Sequence, residues 1–567
     1  MTKFGQTPTP SPTYGTDSSA TRARDILSAL ISVGVHDFVI CPGSRNAPLT
    51  YALAAHERAG LVRLHVRVDE RTAGFFALGM SRAKCPPVPV AVVTTSGSAV
   101  ANLAPALSEA RATGLPLVAL TADRPATLRG SGANQTTLQA GIFGTLVCDE
   151  VDLAPTTQTT VTPDPLVVGQ LRRLVAGASG PVHVNAQFEN PLASPAAKVA
   201  KLPPFALPRP TFHRTLEDFD PEGTVVVAGD SANFEMARRV VDFATDCGLP
   251  ILAEPSSGAR YGTALAHYPH YLADLCGEIR QIIQVGRPTL SRPVAALLAD
   301  ASVRKIVLAE GPNWVDSTGT AQEVIFQLPP VRPAPPQWLT KWQQFDEDAA
   351  TSFAPRFAAE VIPGEAFDPA RAAVAVWDSV AEVPDHNPLL YVAASAGVRN
   401  LDKYAPVYAS QPQVYANRGL AGIDGIISSA RGLAAGSDMG VRVLVGDLAF
   451  VHDLGGLVAG KYEDEVDLQV VVLNDEGGSI FAGLEHGDGS HRDDFPRFFA
   501  TPQRLNIGAV AAGVGAQYYA PTSFAQLELL LAQPVRGLSI IEVDTAVPNV
   551  RALESKWMFR KSSVNAQ

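Results

Sequence analysis

Two aspartates occupy matching places in the last third of the chain. Residues 441–445 read VRVLV and run into Gly446-Asp447; the next β-branched run, 468–473, ends in Asn474-Asp475-Glu476-Gly477-Gly478. Asp447 and Asp475 are 28 positions apart, about the roughly 30 residues of one strand–helix–strand crossover. That spacing carries both carboxylates to the same edge of a parallel sheet, at the ends of neighbouring strands. Carboxylate oxygens beside glycine-exposed backbone suit Mg²⁺, which keeps water and bridges to phosphate oxygens. Glycine also lets main-chain N–H groups approach a diphosphate closely. Residue type alone leaves a plainer alternative, with Asp447 capping the following helix and NDEGG forming a turn.

A third carboxylate stands near the other end. Residues 63–68 form a strand-like run that passes into Asp69-Glu70-Arg71-Thr72-Ala73-Gly74-Phe75-Phe76. Glu70 therefore lies where a strand gives way to a helix, a place where the helix macrodipole favours an acidic group. Around it are CPGSRNAPL (41–49), TTSGSAVANLAP (94–105), TADRP (121–125) and Gly132-Ala133-Asn134-Gln135. The stretch from Glu485 through His486, His491 and Arg492 to Asp494 invites a metal reading, but no strand or helix period fixes ligand geometry there. It reads as a polar loop over the site.

The elements that must position these groups are short apolar runs, each followed by a Gly/Ser/Asp turn and a helix-like segment. They fall at 36–41, 63–68, 88–94, 115–121 and 181–185; at 223–228, 251–254, 281–285 and 305–309; and at 389–393, 414–416, 441–445, 468–473 and 538–543. Continuous apolar strands alternating with helices predict parallel sheets covered on both faces. KLPPFALPRP (201–210) and LPPVRPAPP (328–336) break the series, and prolines without ladder donors make these extended linkers. Three α/β domains result, and similar spacing in the first and last thirds suggests one architecture used twice. In such sheets ligands sit at the carboxyl ends of strands.

Composition narrows the function classes. The 567 residues exceed one ordinary domain, and 46% hydrophobic against 18% charged fits large buried cores. A net charge of −11 excludes a general nucleic-acid footprint, so anionic ligands require local arginines. Five cysteines without a CxxC pair exclude a disulfide framework and indicate a reducing compartment. Residues 1–20, rich in Thr, Ser and Pro, read as a disordered tail without a signal-peptide core. The uncharged stretch 85–108 is interrupted by prolines and glycine, so no membrane span is expected.

Taken together, CPGSRNAPL, DERTAGFFALG, TTSGSAVANLAP, TADRP, NRGLAGIDG (417–425), GDLAFVHDLGGL and GGSIF resemble the 2-succinyl-5-enolpyruvyl-6-hydroxy-3-cyclohexene-1-carboxylate (SEPHCHC) synthases of menaquinone biosynthesis, a family of thiamine diphosphate enzymes. The resemblance spans the first and last domains nearly end to end. It is faint between them, where GRPTLSRP (286–293) is the best match. The family's usual metal motif is Gly-Asp-Gly followed by Asn-Asn; here Leu448 and Asp475 replace the second residue of each kind, changing charge more than geometry.

The resemblance implies three doubly wound α/β parallel-sheet domains of the thiamine diphosphate type: pyrimidine-binding (21–200), middle (210–330) and diphosphate-binding (365–567), with a linker at 337–364. It implies decarboxylation of 2-oxoglutarate and conjugate addition of the succinyl carbanion to isochorismate, with thiamine diphosphate and Mg²⁺ or Mn²⁺. Glu70 matches the glutamate that bonds the aminopyrimidine, and for that purpose should be buried with a raised pKa. Asp447, Asp475 and the Gly477 carbonyl match the metal ligands, Gly446 and Ser395 cofactor contacts, and Ile423 the apolar wedge that bends the cofactor. Ser44, Arg45, Arg124, Asn134, Gln135, Arg292, Arg399, Arg418 and Phe481 match substrate positions, where planar guanidinium forks suit dianionic acids. A cytoplasmic homodimer or homotetramer follows from the same resemblance. Two alternatives stay open: a thiamine enzyme with a small neutral acceptor, and a noncatalytic binding protein on the same scaffold.

Overall fold

The computed structural model describes residues 17–559 except 158–159, 209–210, 217, 232, 312–313, 363, 382–387, 411 and 488. The chain divides into two compact units. One comprises Met1–Ala77, Val88–Arg111 and Leu115–Pro208; the other comprises Leu78–Pro87, Ala112–Gly114 and Arg209–Gln567.

The first unit is built on six strands: β1 Asp37–Ile40, β2 Arg63–Val66, β3 Val90–Thr94, β4 Leu117–Asp123, β5 Asp149–Leu153 and β6 Val182–Gln187. Their order is β2-β1-β3-β4-β6-β5, and every pairing is parallel. The central strands VAVVT and LVALTAD are buried along their whole length, as continuous β-branched runs require when helices cover both faces. One core joins Phe38, Val93, Leu120 and Val184 to Ile26, Leu27 and Leu30 of the helix Ser18–Ser32. That helix starts inside the segment predicted as a tail to Ala20. Asp17 accepts a hydrogen bond from the Ala20 N–H, and the apolar 3–4 spacing of its buried residues outweighs the polar composition before it. The remainder of the predicted tail lies outside the described residues.

The second unit holds two sheets. The first contains β7 Thr224–Ala228, β8 Ile251–Ala253, β9 Gln281–Val285, β10 Arg304–Leu308 and β11 Glu323–Ile325, in the order β11-β10-β9-β7-β8. The second contains β12 Leu389–Val392, β13 Val414–Tyr415, β14 Val441–Gly446, β15 Leu468–Asn474, β16 Gln517–Tyr519 and β17 Leu538–Asp544, ordered β13-β12-β14-β15-β17-β16. All their pairings are parallel. This last order repeats that of the first unit strand for strand, so one architecture is used twice, as the spacing suggested. The 23-residue helix Pro336–Ala358 buries Trp338 and Trp342 in the core of the β7–β11 sheet, and the Trp338 Nε1–H donates to the Thr224 carbonyl at 2.8 Å.

Three strands escape the sequence reading: β5, β11 and β16. Each is the outermost strand of its sheet. DEVDL, EVI and QYY carry no continuous apolar run, since most of their residues are exposed or half-buried. Among the described residues no helix is long and apolar enough to cross a membrane. The uncharged stretch 85–108 contains β3 and the helix Ser98–Ala101, and reaches into the helix Ala104–Thr113.

Candidate active site

In the first unit, strand order reverses between β1 and β3, the place where a doubly wound sheet opens a crevice at its carboxyl edge. The CPGSRN turn follows β1, held by the Asn46 amide donating to the Cys41 carbonyl at 2.8 Å. TTSGS follows β3. Gly43 is required here, since a Cβ would lie 2.3 Å from the Thr95 Cβ. Ser44 is exposed on this turn. The half-buried Arg45 donates to the Phe188 carbonyl at 2.9 Å, while its buried Nε has no partner. Burial lowers its pKa, and the neighbouring Arg124 lowers it further.

Arg124, at the end of β4, donates to the Ser96 hydroxyl and the Gln135 carbonyl. Gln135 holds the left-handed φ of 55° and returns a hydrogen bond to the Ser96 carbonyl at 3.0 Å. Asn134 and Gln135 are exposed beside it. The structure thus joins Arg124 and Gln135 through Ser96, a residue that sequence reasoning quoted within TTSGS but did not single out, and Arg45 feels the Arg124 charge. Glu70 begins the helix Glu70–Arg82 after β2, and the Asn102 amide donates to its Oε2 at 3.4 Å. It was expected to be buried; in this chain it is half-buried, at a helix start that opens on solvent.

The second unit presents the other half-site. β14 and β15 pair in parallel with Gly446 opposite Leu473, so the residues that follow them emerge side by side. Asp447 is buried at the start of the helix Asp447–His452, and its Oδ1 accepts the Leu448 N–H at 2.8 Å. Asp475 accepts from the Ser479 hydroxyl, and the two carboxyl groups are in hydrogen-bonding contact. Burial first, and the Asp475 charge second, push the Asp447 pKa up to about 7. Burial likewise raises Asp475, against the lowering effect of Ser479. Gly477 has φ 130°, and a Cβ there would lie 2.1 Å from the Ala500 carbonyl oxygen. Its own carbonyl accepts the Ser479 N–H at 3.1 Å. A Cβ on Gly446 would meet only open space.

This donor set fits a divalent cation on a diphosphate. Two carboxylates crowded in a low-dielectric place lack a compensating cation, and hard oxygen donors are what Mg²⁺ takes. Among the described residues no group of three or more His, Cys, Asp or Glu comes together, so the remaining oxygens would come from backbone, water and ligand.

Ser395 caps the helix Ala396–Tyr404 at the end of β12, adjacent to β14 in the sheet and again at a reversal of strand order. Arg399, one turn into that helix, donates to the Ser395 carbonyl at 3.0 Å. Its pKa is lowered by burial and then by Arg418. Arg418 is 3% exposed; its Nη2 donates to the Thr289 hydroxyl at 2.6 Å, and its Nε and Nη1 have no partner. The loop that carries it is anchored by the buried Asn417, which bonds Tyr391 and Ser429, and by Asp453, which accepts from the Ser428 N–H and hydroxyl at 2.7 and 2.9 Å.

Ile423 and Phe481 are 37% and 36% exposed, so neither is a core residue of this chain. Arg292, exposed at the start of the helix Arg292–Ala299, lies 3.8 Å from the exposed Glu485, next to the Phe481 turn. The polar stretch around Glu485 contains the short 3-10 turns Glu485–Gly487 and Gly489–His491; Asp488 lies outside the described residues.

Residues 20–142 match the profile of the thiamine pyrophosphate enzyme N-terminal TPP binding domain. A protein of Nocardioides sp. named 2-succinyl-5-enolpyruvyl-6-hydroxy-3-cyclohexene-1-carboxylate synthase is 40% identical, over 97% of this chain and 98% of its own. Proteins of the same name from Paenarthrobacter aurescens and Mycolicibacterium smegmatis are 39% and 37% identical, over 94% and 95% of this chain and 95% and 98% of theirs. The chain belongs to the SEPHCHC synthase family. As a SEPHCHC synthase family member, its similarity to these relatives extends through the β7–β11 sheet, where the sequence resemblance had been faint. Thr289 and Ser479 are the residues that motif reading passed over; each stands within a quoted motif, but only the fold shows the hydroxyl meeting Arg418 or Asp475.

Proposed function

We propose that this chain is a thiamine diphosphate-dependent transferase that decarboxylates 2-oxoglutarate and adds the resulting four-carbon unit to isochorismate, forming SEPHCHC in menaquinone biosynthesis. The observation that carries the reading is the pairing of arginines in both half-sites, Arg45 with Arg124 and Arg399 with Arg418. Each pair is held close despite mutual repulsion, with guanidinium N–H groups of Arg45 and Arg418 left without acceptors. Such pairs are built for ligands with two carboxylates.

Thiamine diphosphate, when bound, supplies a nucleophilic carbon and an electron sink. Asp447, Asp475 and the Gly477 carbonyl would hold Mg²⁺ or Mn²⁺ on its diphosphate, with Gly446 and Ser395 lining the same strand ends. Glu70 would hold a proton at the aminopyrimidine nitrogen, and Ile423 would support the bent cofactor. Ser44, Arg45, Arg124, Asn134 and Gln135 orient isochorismate; Arg399, Arg418 and Arg292 take the remaining carboxylates, and Phe481 excludes water from the acceptor. The domain roles in chain order are pyrimidine-binding (21–200), middle (210–330) and diphosphate-binding (365–567), after the linker 337–364. Because each half-site carries only half of these groups, a homodimer or homotetramer is the assembly this reading requires. The exposed Tyr51, Val66 and Val68, the last 81% exposed, support it. Five free cysteines support a reducing, cytoplasmic setting.

The test is isochorismate consumption with thiamine diphosphate and Mg²⁺, with and without 2-oxoglutarate. The expected result is loss of isochorismate and release of CO₂ only when all are present. CO₂ from 2-oxoglutarate with isochorismate untouched would retain the cofactor chemistry and reject the acceptor.

A further inference from the structure

The β7–β11 sheet has its own crevice-forming reversal, between β7 and β9. Across it the two strand ends pack closely. A Cβ on Gly229 would lie 1.9 Å from the Pro288 nitrogen, and Asp230 bridges Arg287 in antiparallel fashion across the two strand ends.

The edge presents a buried carboxyl group linked through Thr289 to a cation of the neighbouring sheet. Glu254 directly follows β8, its N–H donating to the Ala228 carbonyl at 2.9 Å, and it is 2% exposed. Its Oε1 accepts both the Thr289 and the Leu290 N–H groups, the latter at 2.7 Å, and its Oε2 has no partner. Thr289 then accepts Arg418 Nη2 through its hydroxyl. The charged groups facing Glu254 are Asp402 and Arg399, both on the helix Ala396–Tyr404, and Arg418. Asp230, at the end of β7, also faces Arg418 together with Arg82 and Arg287.

Burial pushes the Glu254 pKa up to about 8, so its carboxyl is largely neutral at pH 7. What it supplies is a fixed acceptor: Oε1 holds the Thr289 and Leu290 N–H groups, and the Thr289 hydroxyl holds Arg418, whose remaining N–H groups await an acceptor. We propose that Glu254 and Thr289 are positioning residues that hold Arg418 in the orientation in which it receives a substrate carboxylate. This deepens the substrate reading above and rests on it. The β7–β11 sheet thereby contributes to the site.

The experiment compares full-length holoenzymes carrying Glu254→Leu, Thr289→Val, Thr289→Ser, Arg418→Lys, and the first two each combined with Arg418→Lys. KM and kcat are measured for 2-oxoglutarate and isochorismate, and thiamine diphosphate affinity by fluorescence titration. Glu254→Leu, which removes the acceptor, and Thr289→Val are expected to raise, on the order of tenfold, the same KM that Arg418→Lys raises, while kcat and cofactor affinity stay near wild type. Thr289→Ser restores the wild-type KM. On the Arg418→Lys background neither substitution adds further loss, because the same contact is already gone.

An unmoved KM in both single variants, or full additivity in the doubles, overturns the proposal. Thr289 is exposed, so its variants decide by the same criteria if Glu254→Leu fails to fold. Absence of turnover in the wild type would overturn the functional reading, and this one with it; that failure is seen before any substitution is made.

Discussion

Asp447 and Asp475, 28 residues apart, share one buried place with their carboxyl groups in contact, because β14 and β15 run parallel and end together. Two acids so placed cannot both ionise cheaply without a cation between or beside them. A metal site and a stability liability are therefore the same piece of structure.

The pH dependence follows from that. Asp447 is raised from 3.8 to about 7, so the folded state binds its proton more tightly than the unfolded chain. The stabilisation from that proton is complete below pH 3.8 and is lost as pH rises through about 7. The melting temperature of the metal-free protein should fall across this window. Asp447→Asn should flatten the decline, and Mg²⁺ with thiamine diphosphate should reverse it. A melting profile of metal-free Asp447→Asn as steep as wild type over this window would count against the assignment.

Asp475→Asn removes one of the two charges and leaves the fold. Metal-dependent cofactor affinity should drop by at least the roughly 10- to 100-fold typical of perturbing a metal's surroundings, while the metal-free protein becomes more stable at neutral pH. Calorimetric titration of Mg²⁺ and thiamine diphosphate reads the first effect, and a denaturant curve the second.

Glu70→Gln should lower turnover by about 10²- to 10⁴-fold, the usual share of a positioned acid–base group, with circular dichroism and diphosphate binding unchanged. Its half-buried position at a helix start predicts little cost in stability. Wild-type turnover in this variant would remove Glu70 from the chemistry.

Arg124→Ala should raise the isochorismate KM by about 10- to 100-fold, the loss of one charge-assisted contact, and leave the 2-oxoglutarate KM in place. Arg45, relieved of a like-charged neighbour, should be slightly stabilised. Separate substrate titrations distinguish this from a general loss of folding, in which both constants would move.

Ile423→Ala separates packing from a cofactor role. A residue 37% exposed in the chain should cost under about 1 kcal/mol of stability when truncated, well below the 2–5 of a core isoleucine. Turnover should nevertheless fall at least tenfold if the side chain supports the bent cofactor. A large stability loss with normal kcat would make it a packing residue.

Much of this was legible from residue order. The buried strands announced themselves because a parallel sheet covered on both faces demands unbroken β-branched runs, and VAVVT or LQVVVL can be little else. The turns after them, CPGSRN and NDEGG, combine glycine with short polar residues for the same local reason wherever they occur. Period and turn chemistry are properties of neighbouring residues, so the chain itself carried the sheet count, the repeated architecture and the strand ends where Asp447, Asp475 and Glu70 stand. The strands β5, β11 and β16 did not show, because their residues are mostly exposed or half-buried and form no unbroken apolar run. Nor did the partners of the arginines. That Glu254 reaches Arg418 through Thr289, or that Ser96 joins Arg124 to Gln135, depends on segments far apart in sequence closing on one another, and only the packed structure decides which distant groups meet.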